Sequence, residues 1–324
     1  MEMNRRRFGH ASLALLAPLA GSRALAQAGA GPIRFIIPYS PGTGSDTTAR
    51  TVGVALGERL GRPVVVENRL GAASMIGTEA VVRSAPNGST LLITTNTMVI
   101  NRALYPKANF DPLKDLTPIT MSGWTQMLLV ASAQSGFRRT EDLIQAARRA
   151  PGKINYGSPG VGTLHHLVME LLKIRTRTSM LHIPFNGSGP AVTALLAGQV
   201  DAMFLPETFA LAHIKTGRVV PLAIGSDKRQ ASVPDLPTLK EQGIADMNVP
   251  AWYGIYGPAG MPDDLVARLN AELRQILQSP EAREKLAAGG VEATSSTPAE
   301  LRDLTVADAA RWAQVVKVQG IRAE

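Results

Sequence analysis

Residues 35–50, FIIPYSPGTGSDTTAR, pass from an apolar run into a turn rich in proline and glycine, and then into a helical pattern. Turns of this kind hold phosphates, dinucleotides or small carboxylates in α/β proteins. A phosphate loop would need lysine where Asp46 stands, and a dinucleotide fingerprint would need a third glycine where Thr47 stands. With both excluded, two interpretations remain: a turn that binds one small anion above the N-cap Ser45, or an ordinary connector.

The rest of the chain alternates short apolar runs with helical periods, which predicts an α/β fold of mostly parallel sheets covered by helices. Two amphipathic helices are expected near the C-terminus, the second with Pro298 in its first turn. PAWYGIYGP at 250–258 is predicted to be a strand or hinge that crosses back between two lobes. Other strands are expected at 33–37, 63–67, 90–94, 127–131, 180–183, 200–204 and 219–224, and helices at 45–60, 71–84, 140–150, 163–174, 189–197 and 207–216.

Similar polar turns follow three more expected strands. They are TTNTM at 94–98, YGSPGVGTLHHL at 156–167 and PFNGSG at 184–189, and the last one shares Ile-Pro-aromatic with the opening turn. Ligands of open α/β sheets bind at the carboxyl ends of the strands. Four turns with many backbone N–H groups and hydroxyls but little charge therefore predict a cage for carboxylate oxygens.

The first 28 residues have the order of an export signal. Arg5, Arg6 and Arg7 precede an apolar middle at 11–20 and small residues at 24–28. Arg5-Arg6-Arg7-Phe8 also resembles a twin-arginine core, so either the Sec or the twin-arginine route is open. Removal of this segment leaves roughly 296 residues, enough for two domains.

Composition excludes several classes of function. The formal net charge is +8, but the basic residues are scattered and aromatic residues make up only 5% of the chain, which argues against a nucleic-acid partner. The chain has no cysteine, so disulfide scaffolds, thiol nucleophiles and thiolate metal sites are excluded. No apolar run after the signal approaches membrane length.

Catalytic and metal-binding interpretations have less support. His166 and Glu170 are one helical turn apart and adjacent to His165, but no third well-spaced ligand accompanies them, so no metal or other cofactor is expected. No Gly-x-Ser-x-Gly elbow occurs. The alternative that stays open is a periplasmic hydrolase or lyase that acts on a carboxylate with His166 as general base.

Several segments together are similar to the Bug (TctC-type) extracytoplasmic solute receptors of tripartite tricarboxylate transporters. They are 32–50, 60–92, 100–107, 151–167, 182–204, 252–262 and 269–273, in the family's order. The resemblance implies a type II periplasmic binding protein, with two α/β lobes around a ligand cleft joined by crossing strands. It implies lobe 1 at 29–130 plus 251–324, lobe 2 at 131–250, and a non-enzymatic monomer that delivers its ligand to membrane subunits or a sensor kinase.

The resemblance also implies a ligand site for a small carboxylate, built from the polar turns. Where the family has Gly-Gly, a polar residue and lysine, this chain has Gly42-Thr43, Val161 and Asn186, and Leu205 stands where aspartate is frequent. These departures predict that the variable end of the ligand is apolar or aromatic. A bulky residue at Gly44 is expected to abolish binding without preventing folding. The predicted ligand-binding residues are Tyr39, Ser40, Gly42, Thr43, Gly44, Asp46, Thr95, Thr97, Ser158, Gly160, Val161, Gly162, Thr163, His166, Phe185, Asn186, Gly187 and Leu205.

Overall fold

Two five-stranded sheets organise the chain in the computed structural model of the protein, which describes residues 31–105 and 108–322. The predicted export signal lies outside the described residues. The strands are β1 (Ile33–Ile37), β2 (Val64–Asn68), β3 (Thr90–Thr95), β4 (Leu116–Thr125), β5 (Met127–Ser132), β6 (Asn155–Ser158), β7 (Leu181–Pro184), β8 (Ala202–Pro206), β9 (Val219–Ile224) and β10 (Ala251–Pro258).

Helices connect the strands and cover the sheets. They are α1 (Gly44–Leu60), α2 (Met75–Val82), α3 (Thr97–Leu104), α4 (Thr140–Arg149), α5 (Leu164–Thr176), α6 (Ser188–Leu196), α7 (Glu207–Lys215), α8 (Asp263–Gln278), α9 (Pro280–Ala288) and α10 (Pro298–Gln319). A short 3-10 turn, Ala72–Ser74, precedes α2. Among the described residues, no helix combines the length and apolar character that crossing a membrane requires.

Sheet 1 has the strand order β2-β1-β3-β10-β4, and sheet 2 the order β7-β6-β8-β5-β9. In sheet 1, β1 is parallel to β2 and β3, whereas β10 is antiparallel to β3 and β4. In sheet 2, β6 is parallel to β7 and β8, whereas β5 is antiparallel to β8 and β9. The predicted α/β class is confirmed, and the carboxyl ends of β1 and β3 share one edge of sheet 1, as those of β6, β7 and β8 share one edge of sheet 2.

Local signals explain where several elements begin and end. The apolar run of β1 is buried, since Phe35, Ile36 and Ile37 have no exposed surface. Gly61 ends α1 in the left-handed conformation, with φ 63°. Thr297 begins α10 with a capping box, because its hydroxyl accepts from the Glu300 N–H while the Glu300 carboxylate accepts from the Thr297 N–H.

The chain passes between the sheets through two crossing segments. Gln126 alone separates β4 from β5, and residues 225–250 separate β9 from β10. The Gly225 N–H donates to the carbonyl of Met127, the first residue of β5, at 2.8 Å, so the second segment starts beside the end of the first. Strand β10 confirms a strand at 250–258, but it lies entirely within sheet 1, and the preceding residues 225–250 make the crossing that was predicted for it.

Helix α10 packs on both halves of the molecule. Leu301 and Ala309 contribute to an apolar core of sheet 1, whereas Trp312, Val315 and Val316 belong to the core beneath sheet 2. The boundaries of the two lobes remain a prediction, and α10, like α3, contributes to the cores on both sheets.

Three elements were not predicted: β4, α3 and the short helix α9. Strand β4 contains Pro118 and Gly123, and proline is tolerated there because β4 is an edge strand of sheet 1. Helix α3 begins at Thr97, inside the segment interpreted as a polar turn. The helix expected at 71–84 starts with the turn Ala72–Ser74 instead of a regular α-helical turn.

Candidate functional site

A cleft of about 490 Å³ lies where the turns after β1, β3, β6 and β7 meet. Nine of the predicted site residues line it, and they come from both halves of the molecule: Tyr39, Ser40, Thr97, Gly160, Val161, Thr163, Phe185, Asn186 and Gly187. Residues that were not predicted complete the lining: Pro38, Leu70, Gly71, Ala72, Ala73, Ser74, Tyr105, Pro159 and Ser188. The structure therefore brings the four polar turns together at one site.

The opening turn presents Tyr39 and Ser40 to the cleft. The Tyr39 hydroxyl lies 3.1 Å from the Thr94 Oγ1 and 2.9 Å from the Thr95 Oγ1, and it accepts from the Thr95 N–H at 3.3 Å. Thr95 does not line the cleft, because its hydroxyl holds Tyr39 and accepts from the Thr97 N–H at 3.2 Å. Thr95 thus fixes the position of Tyr39 and of the start of α3.

Asp46 faces away from the cleft and organises the turn from within. Its side chain is buried and accepts hydrogen bonds from the Gly42 N–H, the Arg50 guanidinium and the Asn68 amide, each at 3.0 Å. Burial opposes ionisation, but these hydrogen bonds outweigh it and hold the pKa of Asp46 below its usual value. Gly42 does not line the cleft, and its N–H is occupied by this carboxylate.

Thr43 and Gly44 also serve the turn and the packing below it. The Thr43 hydroxyl donates to the Ser40 carbonyl at 2.9 Å. Gly44 is buried, and a Cβ at this position would overlap the buried Tyr253 ring of β10. A bulky residue at Gly44 must therefore displace Tyr253, so the expectation that such a variant folds normally has no support in the packing.

The loop Leu70–Ser74 is the part of the lining that sequence reasoning missed. Gly71, Ala72, Ala73 and Ser74 all have positive φ, at 128°, 45°, 47° and 83°. Such conformations in non-glycine residues are strained, and they persist where the surroundings hold them. The Asn101 amide of α3 donates to the Ala73 carbonyl and to the Ser74 hydroxyl. The signal that could have found this loop is its place, directly after the strand expected at 63–67.

In the second half, two neighbouring loops form the facing wall. The Phe185 N–H donates to the Ser158 carbonyl at 2.9 Å, and the Gly187 N–H donates to the Pro159 carbonyl at 3.1 Å. Gly162 is buried against α3, where a Cβ would overlap Leu104. The wall is thus one hydrogen-bonded unit that also packs against the first half.

Ser158, His166 and Leu205 were predicted to bind ligand but do not line the cleft. Ser158 is fully buried, and its hydroxyl lies 2.6 Å from the His182 Nε2. His166 is 4% exposed, and its Nδ1 accepts from the Gly162 N–H at 3.2 Å. Leu205 lies within β8 and packs in the core of sheet 2. All three side chains contact protein groups here, and their part in ligand binding stays a prediction.

The two halves approach closely at the mouth of the cleft. A Cβ placed on Gly187 would lie 3.6 Å from the Ser40 Oγ, so the turns after β1 and β7 face each other. Within the described lining no lysine, arginine, histidine, aspartate or glutamate occurs. The polar groups that line the cleft are hydroxyls, one amide side chain and backbone groups near the N-terminal ends of α3, α5 and α6.

Two α/β halves joined by crossing segments around such a cleft define a solute-binding protein of the periplasmic type. A sequence model of the tripartite tricarboxylate transporter family receptor matches residues 48–321, and the chain belongs to this family. BugT of Bordetella pertussis is 34% identical over 90% of this chain and 90% of its own length. The predicted family and fold are thereby confirmed.

Solved structures agree with this assignment. The periplasmic binding protein BugD matches with a TM-score of 0.83 and 29% identity, covering 90% of this chain and 99% of that chain. MatC from Rhodopseudomonas palustris, solved with bound malate, matches with a TM-score of 0.81 and 30% identity, covering 88% of this chain and 98% of that chain. These similarities support the role of a substrate-binding receptor and give no support to the hydrolase alternative.

Proposed function

We propose that this receptor captures a small carboxylate in the cleft, without turning it over, and delivers it to the membrane subunits of a tripartite transporter. Export by residues 1–28 would place it in the periplasm, where it acts as a monomer. The observation that carries the proposal is the lining of the cleft: polar groups from both halves converge there, and no acidic or basic side chain is among them.

The carboxylate is held by dipoles and hydrogen bonds. The first-turn N–H groups of a helix have no intrahelical acceptor and lie at the positive end of the helix dipole. Thr163 precedes α5 and Ser188 begins α6, and both line the cleft. Two helix N-termini in one wall suit a carboxylate better than a cation.

The rest of the ligand is apolar. Val161, Phe185 and Leu70 give the lining apolar surface, and no cationic side chain there could pair with a second carboxylate. Burying an unpaired charge is costly. A monocarboxylate with an aromatic or aliphatic body therefore fits the cleft better than a dicarboxylate does.

Titration calorimetry tests the ligand class. Benzoate or hexanoate should bind with a stoichiometry of one, whereas malate should bind more weakly. The variant Asn186→Lys places a cation at the mouth of the cleft, where Asn186 is exposed, and should improve malate binding about tenfold or more. The matched control is Lys at exposed Ser232, a residue outside the cleft. Equal gains in both variants would show a general charge effect and contradict the proposal.

A second measurement separates the receptor from the hydrolase alternative. Proton NMR of each carboxylate incubated with the protein should show no product, because the His166 ring faces protein groups and not the cleft. Turnover that disappears in His166→Asn would overturn the non-enzymatic role.

A further inference from the structure

Three stacked rings lie behind the wall of the cleft, and ligand capture does not use them directly. The ring centroids of His166 and His182 are 3.8 Å apart with an interplanar angle of 8°. Tyr156 stacks on His182 at 4.9 Å and on His166 at 6.3 Å. These residues come from α5, β7 and β6, and Tyr156 and His166 are buried.

His166 makes one hydrogen bond to the loop that follows β6, and His182 makes one to Ser158, the last residue of β6, whose hydroxyl lies 3.0 Å from the Gly160 carbonyl. The Nδ1 of His166 accepts from the Gly162 N–H at 3.2 Å. The Nε2 of His182 lies 2.6 Å from the Ser158 Oγ, and that oxygen accepts from the Gly160 N–H at 3.2 Å. The segment 159–163 contributes Pro159, Gly160, Val161 and Thr163 to the cleft, so both histidines hold a loop that lines it.

The loop needs external support because of its own conformation. Gly160 and Gly162 have φ of 143° and 81°, values that glycine adopts freely. Because glycine can adopt many other backbone conformations as well, holding the loop in this one costs conformational entropy. Its internal bonds run from the Thr163 N–H and hydroxyl to the Gly160 carbonyl, at 3.3 and 2.8 Å. The Pro159 carbonyl also accepts from the Gly187 N–H at 3.1 Å, and the two imidazoles add ties from α5 and from β7, by way of Ser158.

We propose that His166 and His182 are positioning residues, which hold the ligand loop 159–163 in its binding geometry, His166 through the accepting Nδ1 of a neutral imidazole and His182 through its hydrogen bond with the Ser158 hydroxyl. This rests on the proposed function of that loop in ligand capture. The role assigned to His166 differs from the direct ligand contact that the sequence predicted, and the role of His182 is new.

The surroundings favour the neutral rings. The ionisable groups around the stack are Tyr156 from β6 and Glu170 and Lys173 from α5; Tyr156 donates to the Glu170 carboxylate, which pairs with Lys173 at 2.7 Å. Glu170 Oε1 lies 3.9 Å from the His166 Nε2, but it is already shared by these two partners. Burial, with the charge of Lys173, lowers the pKa of His182 to about 4, and burial, His182 and Lys173 lower the pKa of His166 to about 3.

The first experiment uses ligand-free protein, so that it stands apart from any test of binding. Nitrogen-15 NMR of histidine-labelled protein at pH 7 should show His166 neutral and protonated on Nε2. Amide exchange of Gly162 should accelerate about tenfold in His166→Leu, since one hydrogen bond contributes about 1.4 kcal/mol or less. His166→Asn should stay close to wild type, because the asparagine Oδ1 replaces the accepting Nδ1.

The matching pair at the other ring is His182→Leu and His182→Gln, read out at the Gly160 amide, with His213→Asn in α7 as the control variant. The proposal would be overturned if the Gly162 N–H exchanged at the same rate in His166→Leu and His166→Asn, or the Gly160 N–H at the same rate in His182→Leu and His182→Gln. A His166 ring protonated on Nδ1 would overturn it as well. Titration with benzoate then asks whether affinity follows the same order. A wild-type protein that does not bind benzoate would instead contradict the proposed ligand class, and the hydrogen-exchange result would still stand.

Discussion

At the scale of single residues, some polar side chains of this receptor face the cleft, and others hydrogen-bond to the cleft-facing residues and fix their positions. Tyr39 faces it, whereas Thr95 fixes Tyr39 with a hydroxyl at 2.9 Å. Asp46 fixes the same turn through three donors on Gly42, Arg50 and Asn68. A polar residue in a binding turn is therefore not by itself a ligand contact.

Replacing Asp46 with asparagine should destabilise the fold by about 2 kcal/mol, because all of its partners are donors and the new NH₂ group would oppose one of them. The pKa of Asp46 is lower in the folded protein than in the unfolded chain. The stability difference between wild type and variant should therefore be fully present above pH ~4 and should shrink as the pH falls through the pKa of Asp46 in the folded protein. Urea unfolding at pH 7 and at pH 3 measures both. Glu281→Gln, at an exposed ion pair with Lys285, is the control that should leave stability unchanged; an equal loss in both variants would contradict this role for Asp46.

Sequence reasoning identified Tyr39 and Ser40 correctly as cleft residues but could not place Asp46. The Arg50 partner lies one helical turn away and is visible locally, but Asn68 reaches Asp46 across 22 positions of chain. Likewise, Ser158 and His182 are 24 positions apart. Which face of a turn a side chain adopts depends on such distant partners, and local patterns do not contain them.

At the scale of elements, the turns at the carboxyl ends of strands form the site, and their glycines set how closely the halves approach. Turn positions were predictable because strand alternation and glycine are local signals. The place of the loop Leu70–Ser74 after an expected strand was such a signal, but its left-handed backbone was not predictable, because the distant Asn101 of α3 holds it. Strand β4 was missed because edge strands tolerate the proline that usually argues against a strand.

Gly162 offers the clearest test at this scale. Its φ is 81°, and a Cβ would overlap Leu104 and lie 3.1 Å from the Asn101 Oδ1 in the other half. Gly162→Ala should cost about 1–3 kcal/mol and weaken ligand binding by separating the halves. Gly189→Ala in α6 meets nothing within 4 Å and should be neutral or slightly stabilising. Thermal unfolding and calorimetry measure the two effects, and a Gly162→Ala protein that matches wild type in both would contradict the close approach at this point.

At the scale of the whole molecule, two sheets with facing carboxyl edges produce the cleft, and the crossing segments and α10 join the halves. The two-lobed α/β architecture followed from the order of strands and helices and from the family resemblance. The contribution of α10 to both cores did not, because an amphipathic pattern does not say against which partner a face packs. Trp312, buried beside the sheet 2 core at the far end of the chain, illustrates this.

The central claim is that an uncharged cleft binds a monocarboxylate with an apolar body. A thermal-shift panel of benzoate, hexanoate, malate and citrate tests this most directly, because at one ligand concentration the stabilisation of the folded state grows with the logarithm of 1 + [L]/Kd and therefore ranks the ligands by affinity. The largest shifts are expected with benzoate or hexanoate and the smallest with citrate. The largest shift with citrate, with the monocarboxylates inert, would contradict it.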